Sequence, residues 1–529
     1  MLGAVLLWPV AADASPRQLA GLDGYVEQMR RDWKNVGVAV AVVQGNELIY
    51  AKGFGEREFG RREKVNAETL FEIGSTTKAF TAAALGILVD EGRLNWDDPV
   101  VKYLPRFHLQ DPWVTRHLTI RDALAHRTGY GDSFYPFLGL MNDDEAIGQL
   151  SYVTPQAEFR DSFRYNNLMY GVLGKIIEVV SGMTWQKFVE YRLLQPLKMN
   201  RSHTSAYDSW ESRFVAPTWL GTAPAGHVSL SDSRDTNVAM PHSWDEQGSV
   251  AVLPWQSFDN AAPAGSIVSS ASDMANWLIF QLNEGHFGDQ QVLKRETLSE
   301  LHAAQNLRGP KVFPLEATAS YAMGWRRSEY RGYVYLAHGG AMLGFPAYVA
   351  MLPEKKAGVV VLSNTAGHAG VNETFDIAIV LEALDRLLGA PQHDWSKEFL
   401  VQLQNKQRDY QNLEAKLRSS HLQTVSPSLS LEKYAGVYED RKGHSGPVSV
   451  RIENGQLNLN FPGQGAYSAY LEHWQGDLFR LHSNAGGFDV LGPEFAAFTV
   501  NQTGKAVALS IDTANLKLGL DKLDFNSAH

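Results

Sequence analysis

Strand-forming runs stand near both ends of the first 390 or so residues, with helical periodicity between them. Residues 37–43 and 47–50 are β-branched and apolar, and Gln44-Gly45-Asn46 between them is a hairpin signal. Comparable runs return at 333–336, 347–351 and 358–362. In the interval, residues 168–181 and 185–194 repeat apolar side chains with a helical period, and Pro196-Leu197 stops the second. Residues 375–388 form a last apolar helix pattern. This order predicts an α/β (α+β) domain of two lobes. One antiparallel sheet is assembled from both ends of the segment, and a helical lobe is inserted in it. The cleft between such lobes is the expected place for an active site.

At 529 residues the chain exceeds what one core organises, so two or three domains are expected. Residues 394–420 are charged and helix-compatible and run into Val425-Ser426-Pro427-Ser428, which reads as a linker helix and a domain boundary. Beyond it the pattern changes to short alternating strands. Residues 448–452 and 456–461 flank Asn454-Gly455, a strong hairpin turn, and further strands are expected at 478–481 and 506–511. This predicts a separate small all-β domain, barrel or sandwich. A net charge of −10 argues against nucleic acid as the partner, which needs a basic surface. The absence of cysteine excludes disulfides and thiolate catalysis.

Residues 2–10 are apolar but too few to span a bilayer, and they lead into Ala12-Asp13-Ala14, a signal-peptidase-like pattern. We read residues 1–14 as a bacterial-type secretory signal or its remnant, although no basic residue precedes the apolar run. The expected location is periplasmic or secreted, with no membrane span.

The chemistry concentrates at Ser75-Thr76-Thr77-Lys78, where an extended segment gives way to an amphipathic helix expected over residues 79–91. A serine hydroxyl is a poor nucleophile until something takes its proton. A lysine three residues on lies on the same helical face and can do so when desolvated. The first helical turn also carries unpaired N–H groups able to hold an oxyanion. Ser430-Leu431-Glu432-Lys433 repeats the spacing without any such setting. What distinguishes Ser75 is its sequel: Tyr165-Asn166-Asn167 leads into a helix, and His338-Gly339-Gly340 follows one strand and precedes another. No Gly-x-Ser-x-Gly elbow, P-loop or His-Glu-x-x-His is present, and no metal or organic cofactor is implied.

With these motifs the chain resembles the serine β-lactamase and penicillin-binding-protein superfamily, and most closely its class C β-lactamase-like serine hydrolase branch. The resemblance runs from about residue 36 to 390 and takes in 119–129, 263–274 and 321–325. From residue 431 the chain resembles the lipocalin-like domain appended to some family hydrolases. It implies a signal segment at 1–14, a hydrolase domain at 15–392, a linker helix at 393–427 and a β domain at 428–529.

By this resemblance Ser75 is the acylated nucleophile, Lys78 helps to remove its proton, and Tyr165 shuttles that proton to the leaving group. The backbone N–H groups of Ser75 and Ala341 form the oxyanion hole. Asn167, His338, Gly339 and Gly340 contact substrate. Much of the superfamily has Lys-Thr-Gly or Lys-Ser-Gly where this chain has His338-Gly339-Gly340, so a cation is replaced by a mostly neutral side chain. Arg326 and Arg327 are candidates to take over carboxylate recognition. The implied function is a peptidase or amidase acting on peptides with D- or unusual residues. The alternatives are a carboxylesterase or weak β-lactamase, and a penicillin-binding module with slow turnover. The expected partner is a small peptide, amide or ester, and homo-oligomerisation is left open.

Overall fold

The computed structural model describes residues 17–131, 143–206, 236–244, 249–253, 255, 258–307, 319–366, 373–420, 425–440, 447–460, 468–483, 494–512 and 522–527. The signal-like segment at 1–14 lies outside them. The sheet is built as its sequence pattern predicts. Strands β1 (Gly37–Gln44) and β2 (Glu47–Gly55) come from the start of the domain. Strands β3 (Ser320–Tyr321), β4 (Arg326–Tyr330), β5 (Tyr333–Met342), β6 (Phe345–Leu352) and β7 (Ala357–Ser363) come from its end. The order is β2-β1-β7-β6-β5-β4-β3, all antiparallel.

Both faces of this sheet are covered. Alternation along β1 sends Ala39, Ala41 and Val43 into the core shared with the helical lobe, and Val38, Val40 and Val42 into a second core behind it. Helices α1 (Leu22–Asp32), α5 (Glu373–Leu388) and the first turns of α6 (Trp395–Ser420) supply that second core. The α6 helix is therefore anchored and not a free linker at its start. Trp395 donates to Asp385 at 3.0 Å, and Trp33 donates to Ser396 at 3.1 Å.

The lobe is organised around α2 (Thr77–Asp90), which differs from the amphipathic helix expected there: every residue from Thr77 to Leu88 is buried. Helix α3 (Asn167–Ser181), the turn Ala262–Gly265 and α4 (Ala271–Leu282) belong to the same core. Small residues such as Ala82, Ala83 and Ala84 suit a helix with no solvent face. Phe80 stacks on Trp277 at 3.7 Å, and the polar Thr81 is satisfied by donating to the Pro263 carbonyl at 2.7 Å. Among the described residues no helix is long and apolar enough to cross a membrane.

The C-terminal region is a closed barrel of eight strands in sequential order, so the choice between barrel and sandwich falls to the barrel. Its strands are Gly436–Asp440, Val448–Glu453, Gln456–Asn460, Ser468–Gln475, Leu478–Ser483, Glu494–Val500, Ala506–Asp512 and Lys522–Ser527. Asn454 and Gly455 both take positive φ, 52° and 79°, as a two-residue hairpin turn requires. Tyr438, Val450, Leu459, Leu471, Phe479 and Phe498 help fill the interior.

One polar knot fixes the route of the chain between α2 and α3. The short helix Ile120–Leu124 begins with a capping box between Thr119 and Asp122. The Asp122 carboxylate is fully buried and also accepts from Arg127 Nε at 2.6 Å and from Arg160 Nη2 at 2.7 Å. It thus joins residues 38 apart in sequence. Asp122→Ala removes the carboxylate half of the capping box and all three hydrogen bonds from Arg127 and Arg160. It is expected to lower stability by about 2–4 kcal/mol, read as a shift in urea midpoint.

Candidate active site

Ser75 lies in the single 3₁₀ turn Gly74–Thr76 that opens α2. It is half-buried, while Thr76, Thr77 and Lys78 are buried. Lys78 is fully buried, and its ammonium meets Ser75 Oγ at 2.9 Å, Asn167 Oδ1 at 2.6 Å and the Ala264 carbonyl at 2.7 Å. Three donors find three oxygens, which is how a desolvated ammonium is held. Its nitrogen also stands 4.8 Å from the Tyr165 ring centroid and 5.3 Å from that of Tyr170. The structure therefore brings Ser75, Lys78, Tyr165 and Asn167 together from two separate stretches of chain, and the Ala264 carbonyl joins them from a third.

The two asparagines after Tyr165 divide the work. Asn166 caps α3, accepting from the Met169 N–H at 2.9 Å and donating to the Gly131 carbonyl at 2.7 Å. Asn167 presents its carbonyl oxygen to Lys78, so the NH₂ half of that amide is the part able to donate.

His338-Gly339-Gly340 lies inside β5, and not between two strands as the pattern suggested. Met342 pairs with Phe345 across a two-residue turn, and the register then runs Gly340 to Ala347 and His338 to Val349. Pairs that exchange hydrogen bonds alternate from such a turn, so Ala341 and Gly339 direct their N–H and C=O away from β6. The register with β4 ends at Ala337, which leaves residues 338–342 beyond it. There the strand meets the Ser75 turn. A Cβ on Gly340 would lie 1.9 Å from the Ile73 carbonyl oxygen and 3.3 Å from Ser75 N. A Cβ on Gly74, whose φ is +50°, would lie 2.5 Å from Ala341 N. Only glycine at both positions lets the amides of Ser75 and Ala341 approach each other.

The His338 side chain is turned inward, 1% exposed. Its Nδ1 lies 2.6 Å from the Gly339 carbonyl, which can only accept, so Nδ1 carries the proton; Nε2 then accepts from the Tyr321 hydroxyl at 2.9 Å. Burial, followed by the charges of Arg326 and Lys78, holds this imidazole well below its ordinary pKa, and it is neutral. The ring is thus committed within the protein, and the part of this motif that meets the Ser75 turn is its backbone. The two arginine candidates separate, Arg326 acting on His338 and His126 and Arg327 on His302.

Residues that the motifs did not mark complete the site. The Ala264 carbonyl has no side-chain signature, although its segment stood out in the sequence. His126, in the 119–129 stretch, packs its ring 4.3 Å from that of Tyr165. Glu72, three residues before the nucleophile, is buried with neither carboxyl oxygen hydrogen-bonded among the described residues. Among the described residues no group of three His, Asp or Glu is arranged to hold a metal ion.

Comparison with known proteins agrees with this architecture. A family model described as Beta-lactamase matches residues 22–382, and one described as Domain of unknown function (DUF3471) matches residues 422–527. Unguisins hydrolase ungD of Aspergillus violaceofuscus is 27% identical over 522 residues, covering 90% of this chain and 85% of that protein. Protein flp of Staphylococcus aureus (strain MW2) is 25% identical over 332 residues, 62% of this chain and 59% of that protein. The solved octameric penicillin-binding protein homologue from Pyrococcus abyssi superposes with a TM-score of 0.58 at 22% identity, over 96% of this chain and 100% of its own. A D-stereospecific amidohydrolase from Streptomyces sp. gives 0.54 at 20% identity, over 70% of this chain and 98% of its own. At these identities the solved structures speak to the fold.

The Glu72 carboxyl gives the site a pH signature. Burial and then the nearby Asp259 carboxylate hold its pKa well above the ordinary range. The folded state thus keeps a proton that the unfolded chain releases, so stability is full below the ordinary glutamate value and falls as pH rises toward the raised one. Glu72→Gln cannot ionise. Its stability relative to the parent should therefore grow with pH from about 4.3 upward, by at most about 1.4 kcal/mol per pH unit. Thermal midpoints across pH 4–9 measure this, and a difference constant with pH contradicts it.

Proposed function

This chain belongs to the β-lactamase family of serine hydrolases, and from that footing we propose that it acylates Ser75 to cleave amide bonds in peptides with D- or otherwise unusual residues. The observation that carries the reading is the arrangement around Lys78. Two of its three contacts, Asn167 Oδ1 and the Ala264 carbonyl, are oxygens that can only accept, so they hold two N–H bonds whatever the charge on the amine. The third position faces Ser75 Oγ and is the one place where N–H and lone pair can exchange. When Lys78 is neutral its lone pair points at the serine proton.

Ser75 Oγ then attacks the scissile carbonyl as its proton passes to Lys78. The developing oxyanion sits between the amides of Ser75 and Ala341, where backbone donors cost no reorganisation. Tyr165, beside the ammonium, carries the proton to the departing amine. A water releases the acyl group by the same steps in reverse, returning the proton to Ser75. The Asn167 NH₂ and the outward backbone of residues 339–341 hold an extended substrate, the latter by strand addition.

The amide reading draws on the unguisins hydrolase relative and on the D-stereospecific amidohydrolase among the fold neighbours. Export, read from the apolar run and the Ala12-Asp13-Ala14 pattern, belongs to the same proposal. One observation favours carboxylesterase action as a second reading. The inward, neutral His338 offers no cation where β-lactamases of the superfamily engage a carboxylate.

A fluorophosphonate should add to the wild-type protein by intact mass and leave Ser75→Ala unmodified, and that variant should lose on the order of 10⁴ or more in kcat. Assay against D-amino-acid peptides, p-nitrophenyl esters and a chromogenic cephalosporin then separates the readings. Esters cleaved with peptides untouched would reject amide hydrolysis. Gly340→Ala places a methyl against the Ile73 carbonyl and displaces the Ala341 amide. Its kcat is expected to fall by about 10²–10³ on every substrate, checked beside a thermal midpoint that shows the protein folded.

A further inference from the structure

We infer that His126 is the positioning residue for Tyr165, gripping the chain on both sides of the tyrosine and backing its ring. The inference rests on Tyr165 acting as proposed above. The His126 carbonyl accepts from the Arg164 N–H at 2.9 Å, and its Nδ1 accepts from the Asn166 N–H at 3.1 Å. The residues before and after Tyr165 are thus tied to one side chain and its own backbone. The imidazole lies against the Tyr165 ring at 4.3 Å and 35°. Tyr321, Tyr170 and Phe163 close round it at 4.9, 5.3 and 5.5 Å.

Two unfavourable features persist at this residue. Its φ is +53°, a left-handed conformation that few non-glycine residues adopt. Because Nδ1 accepts, Nε2 must carry the hydrogen, and that buried N–H has no hydrogen-bond partner among the described residues. A core that needed only an aromatic plane would take phenylalanine, and a turn that needed only an acceptor would take asparagine. Histidine supplies the plane, the acceptor and tolerance of the left-handed region together. The imidazole has to be neutral for Nδ1 to accept. Burial, with the charges of Lys78 and Arg326 near it, keeps it so. Strain retained beside a reacting group is the usual mark of a position under functional constraint.

The test is a double-mutant cycle on a D-amino-acid amide, whose amine must be protonated as it leaves, with fluorophosphonate titration to count active sites. His126→Phe keeps a plane and loses the acceptor, whereas His126→Asn keeps an acceptor near the Nδ1 position and loses the plane. In the parent background His126→Phe is expected to lower kcat by about 30–100-fold, and His126→Asn by roughly tenfold, with KM changed less than about twofold. In the Tyr165→Phe background each should change kcat by less than about twofold, because the group being positioned is gone. Equal losses in both backgrounds, or unchanged kcat in folded variants, would overturn the inference. If His126→Phe does not fold, His126→Asn decides by the same comparison. Parent-like kinetics for Tyr165→Phe alone would reject the reading of the site, and this inference with it. Multiplicative losses beside a genuine Tyr165→Phe defect would reject this inference alone.

Discussion

A single buried ammonium organises this molecule's candidate site. An amine removed from water is tolerated only where its donors meet acceptors. The three oxygens that Lys78 meets come from the 3₁₀ turn that opens α2, from α3 and from the turn Ala262–Gly265. The last two contacts fix the distances from α2 to two other elements of the helical lobe. The same ammonium sets the electrostatics around it. Both nearby histidines are held neutral, first by burial and then in part by the lysine charge. Glu72, where burial and a second carboxylate oppose ionisation, is held in its protonated form.

Glycine supplies the complementary constraint. The Ser75 turn belongs to the helical lobe and the Ala341 amide to the sheet, so these two amides meet only where the two lobes touch. That contact is backbone on backbone, and any side chain at position 74 or 340 would hold the lobes apart. The sheet is rigid enough to be one jaw because both its faces are buried, with β1 contributing alternate side chains to two cores.

Much of this was legible in the residues. The Ser-x-x-Lys spacing, the tyrosine and the second asparagine could be named because their chemistry resides in side chains with a recognisable order. Other parts had no such signature. The Ala264 carbonyl is a backbone group that any residue could supply. The helix after Ser75 read as amphipathic, yet it is enclosed on all sides, because alanine and threonine suit a surface and a crowded interior alike. His338-Gly339-Gly340 looked like a junction between strands because glycine pairs interrupt strand patterns, but it is continuous strand. Alternation in the C-terminal region was clear, whereas barrel and sandwich share that alternation and differ only in whether the first strand pairs with the last.

What the sequence determined by itself was therefore the inventory: a hydroxyl, an amine and a phenol in order, strands at both ends of an inserted helical lobe, and a β-rich appendage. Local periodicity and side-chain chemistry are enough for that. Only the tertiary structure decided that the amine is saturated by a carbonyl from a distant turn, that the histidine of β5 faces inward, and that His126 stands behind the tyrosine. Those facts depend on which surfaces meet when the chain closes. Burial and hydrogen-bond saturation are properties of that closure and not of any segment within it.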